Sequence, residues 1–191
     1  MGGPNLFFSS RADKVSDYGY SRFSLGLDQH GRIRGKVSDG QVVVVAQSSE
    51  ILTAGVFEEL WLRYQAPTLA TPGDVRVYRR DGSAVALIAS EVIPPGDFTW
   101  KKWDAEFVLG GLDNAWPNDT IDYNLLEAAL WTRALTEAEM SALVGRGLHT
   151  VRDYHQRVGD YLFWYARPRA DSARIEPDLG TSIGTAIIRP R

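Results

Sequence analysis

Leu126-Glu127-Ala128-Ala129-Leu130-Trp131-Thr132-Arg133-Ala134-Leu135-Thr136-Glu137-Ala138-Glu139-Met140 is the stretch whose reading decides the fold, because the period of the sequence changes inside it. Residues 121–131 read as a strand. From Leu135 onward the spacing becomes helical. Thr136 stands where an N-cap belongs, and Glu139 three residues later completes a capping box. Leu135, Met140 and Leu143 or Val144 can cover one side, and Gly145 and Gly147 end the element. This predicts a helix of about ten residues, the only one read before the C-terminal tail.

Upstream of that corner the chain reads as short strands separated by turns. Asn5 to Ser10 is a short strand, followed by a polar loop from Arg11 to Ser21. Phe23, Leu25 and Leu27 alternate onto one face. Asp28-Gln29-His30-Gly31 is a turn, and Arg32 to Val37 alternates again, which predicts a hairpin. Asp39-Gly40 is a second turn. Val42 to Val45 is an unbroken apolar run, which predicts a strand covered on both faces. Residues 57–65 form the next strand, with Leu60, Leu62 and Tyr64 opposing Trp61 and Arg63. Val75-Arg76-Val77-Tyr78, the turn Arg80-Asp81-Gly82-Ser83 and the return from Ala84 to Ala89 give another hairpin. Residues 105–111 lead into a turn at Gly110-Gly111. Short strands spaced by turn residues, with one late helix, predict an all-β antiparallel sandwich.

Composition agrees with that class. The chain has 191 residues, 44% of them hydrophobic and 24% charged, enough for one domain with an extension. A formal net charge of −3 gives no footprint for nucleic acid. Six Trp, eight Tyr and seven Phe, with 18 Gly and nine Pro, favour sheet and turns over helices. The absence of cysteine excludes disulfides, thiol catalysis and thiolate metal sites. No apolar run is long enough for a transmembrane helix. Met1-Gly2-Gly3-Pro4 lacks the basic and apolar regions of a signal peptide, which predicts synthesis in the cytoplasm. The tail is unusual: from Arg152 to Arg191 there are seven Arg and no Lys. Arginine's planar fork suits fixed contacts to carboxylates and aromatic faces.

In this order the motifs resemble the laminin-G-like, concanavalin-A-like lectin–glucanase jelly-roll family, of the kind found in bacteriophage structural proteins. Trp131 takes the family's aromatic place, Arg133-Ala134-Leu135 its corner, and Thr136 to Met140 its acidic short helix. Phe23-Ser24-Leu25-Gly26-Leu27-Asp28 with Gly31 resembles the central hairpin. Leu60-Trp61-Leu62-Arg63-Tyr64, then Val75-Arg76-Val77-Tyr78 with Asp81-Gly82, then Val108-Leu109-Gly110-Gly111 resemble the strands that follow. The likeness covers residues 5–145 as a jelly-roll domain and leaves 146–191 as a C-terminal extension. The family's opening strand, which ends in an aromatic, a basic residue and proline, has no counterpart before Asn5. Tyr161-Leu162-Phe163-Trp164-Tyr165-Ala166-Arg167-Pro168 has that composition and ending. This run is expected to complete the chain's own sheet or a neighbour's, or else to stand as an extension with its own contacts.

Several chemistries can be weighed from the residues. Glycoside hydrolysis needs two carboxylates flanking one bond. Asp104-Ala105-Glu106 is the closest pattern and reads better as edge charge, while Glu58 and Glu59 are adjacent and so face opposite sides. His30 lies in a turn, and His149 and His155 are six apart, which is no helical ligand spacing. Nothing resembles a nucleophile elbow or a phosphate loop. The chain is therefore expected not to be an enzyme and to need no cofactor. Asp113, Asp119 and Asp122 are the candidates for calcium, a metal that takes oxygen ligands from such loops. Trp116 beside Asp113, Asn114 and Asn118 is the best candidate sugar site, since sugar faces stack on indoles. Tyr161, Phe163, Trp164, Tyr165, Arg167 and Arg169 are the candidate assembly contacts, because Trp, Tyr and Arg concentrate at interfaces. The expectation is a virion structural protein (capsid decoration, tail or fibre component) that contacts other virion proteins and itself as a homo-oligomer. No contact with nucleic acid or membrane is expected. The rival expectation is a carbohydrate-binding module for surface attachment.

Overall fold

The computed structural model describes residues 5–11, 23–39, 42–53, 55–96, 98, 106–109, 128–131, 133–145, 162–166 and 177–179. Among them β-strands dominate, and one short helix is present. The chain divides into two compact units, Met1–Asp81 with Ala86–Asp122, and Gly82–Val85 with Tyr123–Arg191.

The first unit is built on the predicted hairpin. β2 (Phe23–Leu27) and β3 (Arg32–Ser38) pair antiparallel from Phe23↔Val37 to Leu27↔Ile33. The turn between them closes because Gly31 takes φ 78°, a left-handed conformation that costs glycine little. Asp28 fixes the same turn by accepting from the backbone N–H groups of His30 at 2.8 Å and Arg32 at 2.9 Å. β4 (Val43–Ile51) adds to β3, and β1 (Asn5–Arg11) adds to β2 and carries β8 (Glu106–Leu109) beyond it. The sheet order is β4-β3-β2-β1-β8.

The second sheet has the order β5-β6-β7, from β5 (Leu60–Gln65), β6 (Gly73–Asp81) and β7 (Ala84–Ile93). β5 pairs antiparallel with β6 from Leu60↔Arg79 to Gln65↔Asp74. A two-residue turn at Gly82, with φ 60°, returns the chain from β6 to β7.

Period-two alternation decides what each strand buries. Ile33, Val37, Val44 and Ala46 from the first sheet meet Val75, Val77, Ala89 and Ile93 from the second in one buried cluster. Phe23, Leu25, Leu27, Leu60, Leu62 and Tyr64 pack against it, as the strand alternation predicts. Gly35 matters here: a Cβ at this position would stand 2.5 Å from Leu62 Cδ1 and 2.6 Å from Val77 Cγ2. Only a residue without a side chain lets β3 lie this close to β5 and β6.

One expectation fails. The four valines do not form a strand covered on both faces. Among the described residues β4 is an edge strand, and its burial alternates: Val44 and Ala46 are buried while Val43 is 48% exposed. A doubly covered strand needs layers above and below it; here a run of valine reflects β-propensity together with one-sided burial.

In the second unit β9 (Ala128–Trp131), β10 (Leu162–Ala166) and β11 (Pro177–Leu179) form a sheet ordered β11-β10-β9. β10 pairs antiparallel with β9, from Leu162↔Trp131 to Ala166↔Ala128. Leu162–Ala166, inside the tail run 161–168 read as a strand, is thus a strand, and it pairs within its own chain. α1 (Glu137–Leu143) begins at the capping box foreseen in the sequence. Thr136 Oγ1 accepts from the Glu139 N–H at 3.2 Å, and Glu139 Oε2 accepts from the Thr136 N–H at 2.8 Å. Leu135, Met140, Leu143 and Val144 are buried, and Gly145 takes φ 69° just past the end. Ser141 Oγ accepts from the Val85 N–H at 3.1 Å, a bond within the second unit.

Candidate functional site

The exposed large apolar side chains of the described residues are concentrated in one stretch of the chain. Of eight such side chains, five (Val42, Val43, Ile51, Val56 and Phe57) belong to β4 and its connections, four of them at or after its first residue. Phe57 is 66% exposed and Ile51 60%. Scattered single apolar residues need no explanation; five within sixteen consecutive positions single this stretch out as the candidate contact surface.

This rim is held rigid by polar groups. Arg79, near the end of β6, donates from Nε to Glu58 Oε2 at 2.9 Å and from Nη1 to Glu50 Oε2 at 2.9 Å, and its Nη2 also bonds Glu58. One guanidinium fork therefore closes the base of the loop that presents Ile51, Val56 and Phe57. Inside the loop Val56 N–H donates to Thr53 O at 3.3 Å, and Gly55 takes φ 78°. At its start Leu52 N–H donates to Gly31 O at 3.4 Å. Further along β4, Gln47 Nε2 donates to Asp28 Oδ2 at 3.2 Å, which braces the strand against the hairpin turn. A braced apolar surface loses little conformational entropy when it is covered.

Charged groups in each unit are locked. The hydrogen bonds from Arg79 to Glu58 and then Glu50 hold its guanidinium well above the ordinary arginine range. Burial alone would raise the Asp28 carboxyl, but bonds from Arg32 and His30 outweigh it and bring it down to about 2. Bonds from Arg133, then Thr136, bring Glu139 down to about 2. Groups fixed in one charge state near neutral pH hold structure; they do not shuttle protons. Lys36 is the exception. Its burial, with Arg34 beside it, lowers it to about 8.

A second polar cluster lies on the face of β5 and β6 away from the shared core. Asp74 bridges Arg76 at 3.0 Å and Arg63 at 3.6 Å, beside the buried Trp61 and Tyr78. Among the described residues no group of three or more His, Cys, Asp or Glu is placed to hold a metal ion. Among them, too, no helix is long and apolar enough to cross a membrane.

Asp113, Asn114, Trp116 and Asn118, with the calcium candidates Asp119 and Asp122, lie outside the described residues, as do Tyr161, Arg167 and Arg169. Phe163, Trp164 and Tyr165 lie in β10. The rim was not foreseen. Its sequence signal is two apolar pairs, Ile51-Leu52 and Val56-Phe57, flanking the turn residues Thr53 and Gly55. Its clamp has no local signal, because Arg79 is 29 positions from Glu50 and 21 from Glu58. Compared with protein-family models, with curated proteins and with solved structures, the chain matches none.

Proposed function

We propose that this chain is a non-enzymatic structural subunit of a virion, a capsid-decoration, tail or fibre component that works through protein–protein contacts. Its body is a two-sheet jelly-roll sandwich. The shared cluster of Ile33, Val37, Val44 and Ala46 with Val75, Val77, Ala89 and Ile93 supports the sandwich. The pairing of β10 with β9 supports a tail that contributes a strand to its own chain. The laminin-G-like order of motifs supports the virion setting.

One observation carries the functional reading: the apolar rim from Val42 to Phe57, pinned at its base by Arg79. An enzyme concentrates perturbed groups in a concave pocket. This rim instead offers exposed apolar side chains, with the Ile51–Phe57 loop braced by charge at its foot, as an interface does. The test is density-gradient fractionation of native material, followed by reconstitution with Phe57→Asp. Co-migration of the chain with particles, lost for the variant, is the expected result. A chain that stays in the soluble fraction, or a variant that incorporates normally, refutes the proposal. A glycan array run alongside separates it from sugar attachment: specific glycan binding by the chain speaks for a carbohydrate-binding module instead.

A further inference from the structure

β4 has a second property that the rim does not use. It is the edge of the five-stranded sheet, and among the described residues no strand pairs with its outer side. Proteins blunt such edges with lysine, proline, charge or a bulge. From Val43 to Gln47 β4 has none of these. The register with β3 runs unbroken from Ser38↔Val43 to Arg34↔Gln47 and shifts only beyond Gln47, where Ile51 meets Arg32. Five residues, Val43-Val44-Val45-Ala46-Gln47, thus present a straight, uncharged edge.

We infer that this edge is a self-pairing site and that its occupant is β4 of a second copy of this chain, laid antiparallel across a two-fold axis. The inference rests on the assembly reading above and names the partner and the strand. Two features select a second copy. An antiparallel pair of identical strands closes on itself, so one edge satisfies the other and no open edge remains there. The segment is also neutral throughout, so two copies meet without like charges opposed. Because the straight run is centred on Val45, the axis passes beside Val45, with Val43 opposite Gln47 of the other copy. The outward face then sets valine against valine at the centre, and Val43, half-exposed in one chain, gains a neighbour. A ladder this short is small beside a standard interface, so association is weak and depends on concentration.

Sedimentation velocity on the full chain, over roughly three decades of concentration reaching about 1 mM, tests the pairing. The parent chain is expected to pass from monomer to dimer. Val45→Glu opposes two carboxylates across the axis and is expected to weaken the dimer at least about tenfold. Within its own sheet position 45 faces Lys36, so the new carboxylate meets an opposite charge. Val45→Thr keeps the ladder and is expected to stay within about threefold of the parent. Val43→Lys places the usual edge-blunting residue at an exposed position and is expected to weaken the dimer as well. Circular dichroism confirms that each variant is folded, and Val43→Lys decides if Val45→Glu is not. A parent that dimerises with Val45→Glu and Val43→Lys unaffected overturns the inference while leaving the assembly reading intact. A parent that stays monomeric throughout also overturns it, and the gradient experiment then judges the assembly reading alone.

Discussion

Replacing Gly35 by alanine sets a methyl group into a close approach between the two sheets of the first unit. The new Cβ would stand 2.5 Å from Leu62 Cδ1 and 2.6 Å from Val77 Cγ2, against the roughly 3.5–4.0 Å at which carbon atoms rest. Leu62 can swing its terminal methyl away. Val77 cannot: it is fully buried and, being branched at Cβ, has a stiff χ1. Overpacking of this kind costs about 1–3 kcal/mol. The lost freedom of the unfolded chain returns about 0.4–1 kcal/mol. The net expectation is a loss of about 1–2 kcal/mol, which for a chain of this length lowers Tm by about 2–8 °C. Thermal unfolding followed by near-UV circular dichroism reads this shift. A Gly35→Ala chain with unchanged or raised Tm would show that β3 does not lie against Leu62 and Val77, and the face-to-face packing of the two sheets would fall with it.

Other outcomes follow from the same geometry. Gly82→Ala meets no atom within 4 Å but must hold φ 60°, so it should cost about 1 kcal/mol through the backbone alone; an unchanged urea midpoint would contradict that turn. Asp28 and Glu139 are both lowered to about 2 from ordinary values of 3.8 and 4.5. Their contribution is complete above the ordinary values and is lost as pH falls towards 2, so Tm should drop over that acid range. Glu139→Gln should flatten the drop, and a variant whose acid slope equals the parent's would refute its assignment. Lys36 is lowered to about 8 from 10.5, so between those values the unfolded chain binds more protons and stability should rise with pH. Lys36→Met should remove that rise, as urea midpoints across the range will register. Thr136→Ala breaks the capping box and should cost about 1 kcal/mol, read as a lower urea midpoint; no shift would mean the helix is held by packing alone.

Local patterns were legible in the sequence because their causes are local. The β2–β3 hairpin follows from alternation and a turn with glycine at the position needing positive φ. The start of α1 follows from Thr136 and Glu139, three residues apart. What escaped was non-local. The Val42–Val45 run could not say whether a second layer covers β4, because that depends on where the strand falls in the sheet. The clamp at Arg79 joins residues from β4, β6 and the connection before β5, and no short window of sequence contains all three. Gly35 is the intermediate case: a glycine inside an alternating strand hints at a close approach without naming Leu62 or Val77 as the neighbours. The expected sugar, calcium and tail-contact residues rest on their chemistry, and chemistry alone does not bring loop residues together.

Hydrogen exchange on residues 42–57 tests the assembly account most directly, with native material from a density gradient compared against the isolated chain at low concentration. The account predicts that the chain migrates with particles and that the amides of β4 and the following loop exchange at least about tenfold more slowly there, since a covered edge opens less often. Equal exchange in the two samples, with the chain migrating as a single subunit, would contradict it.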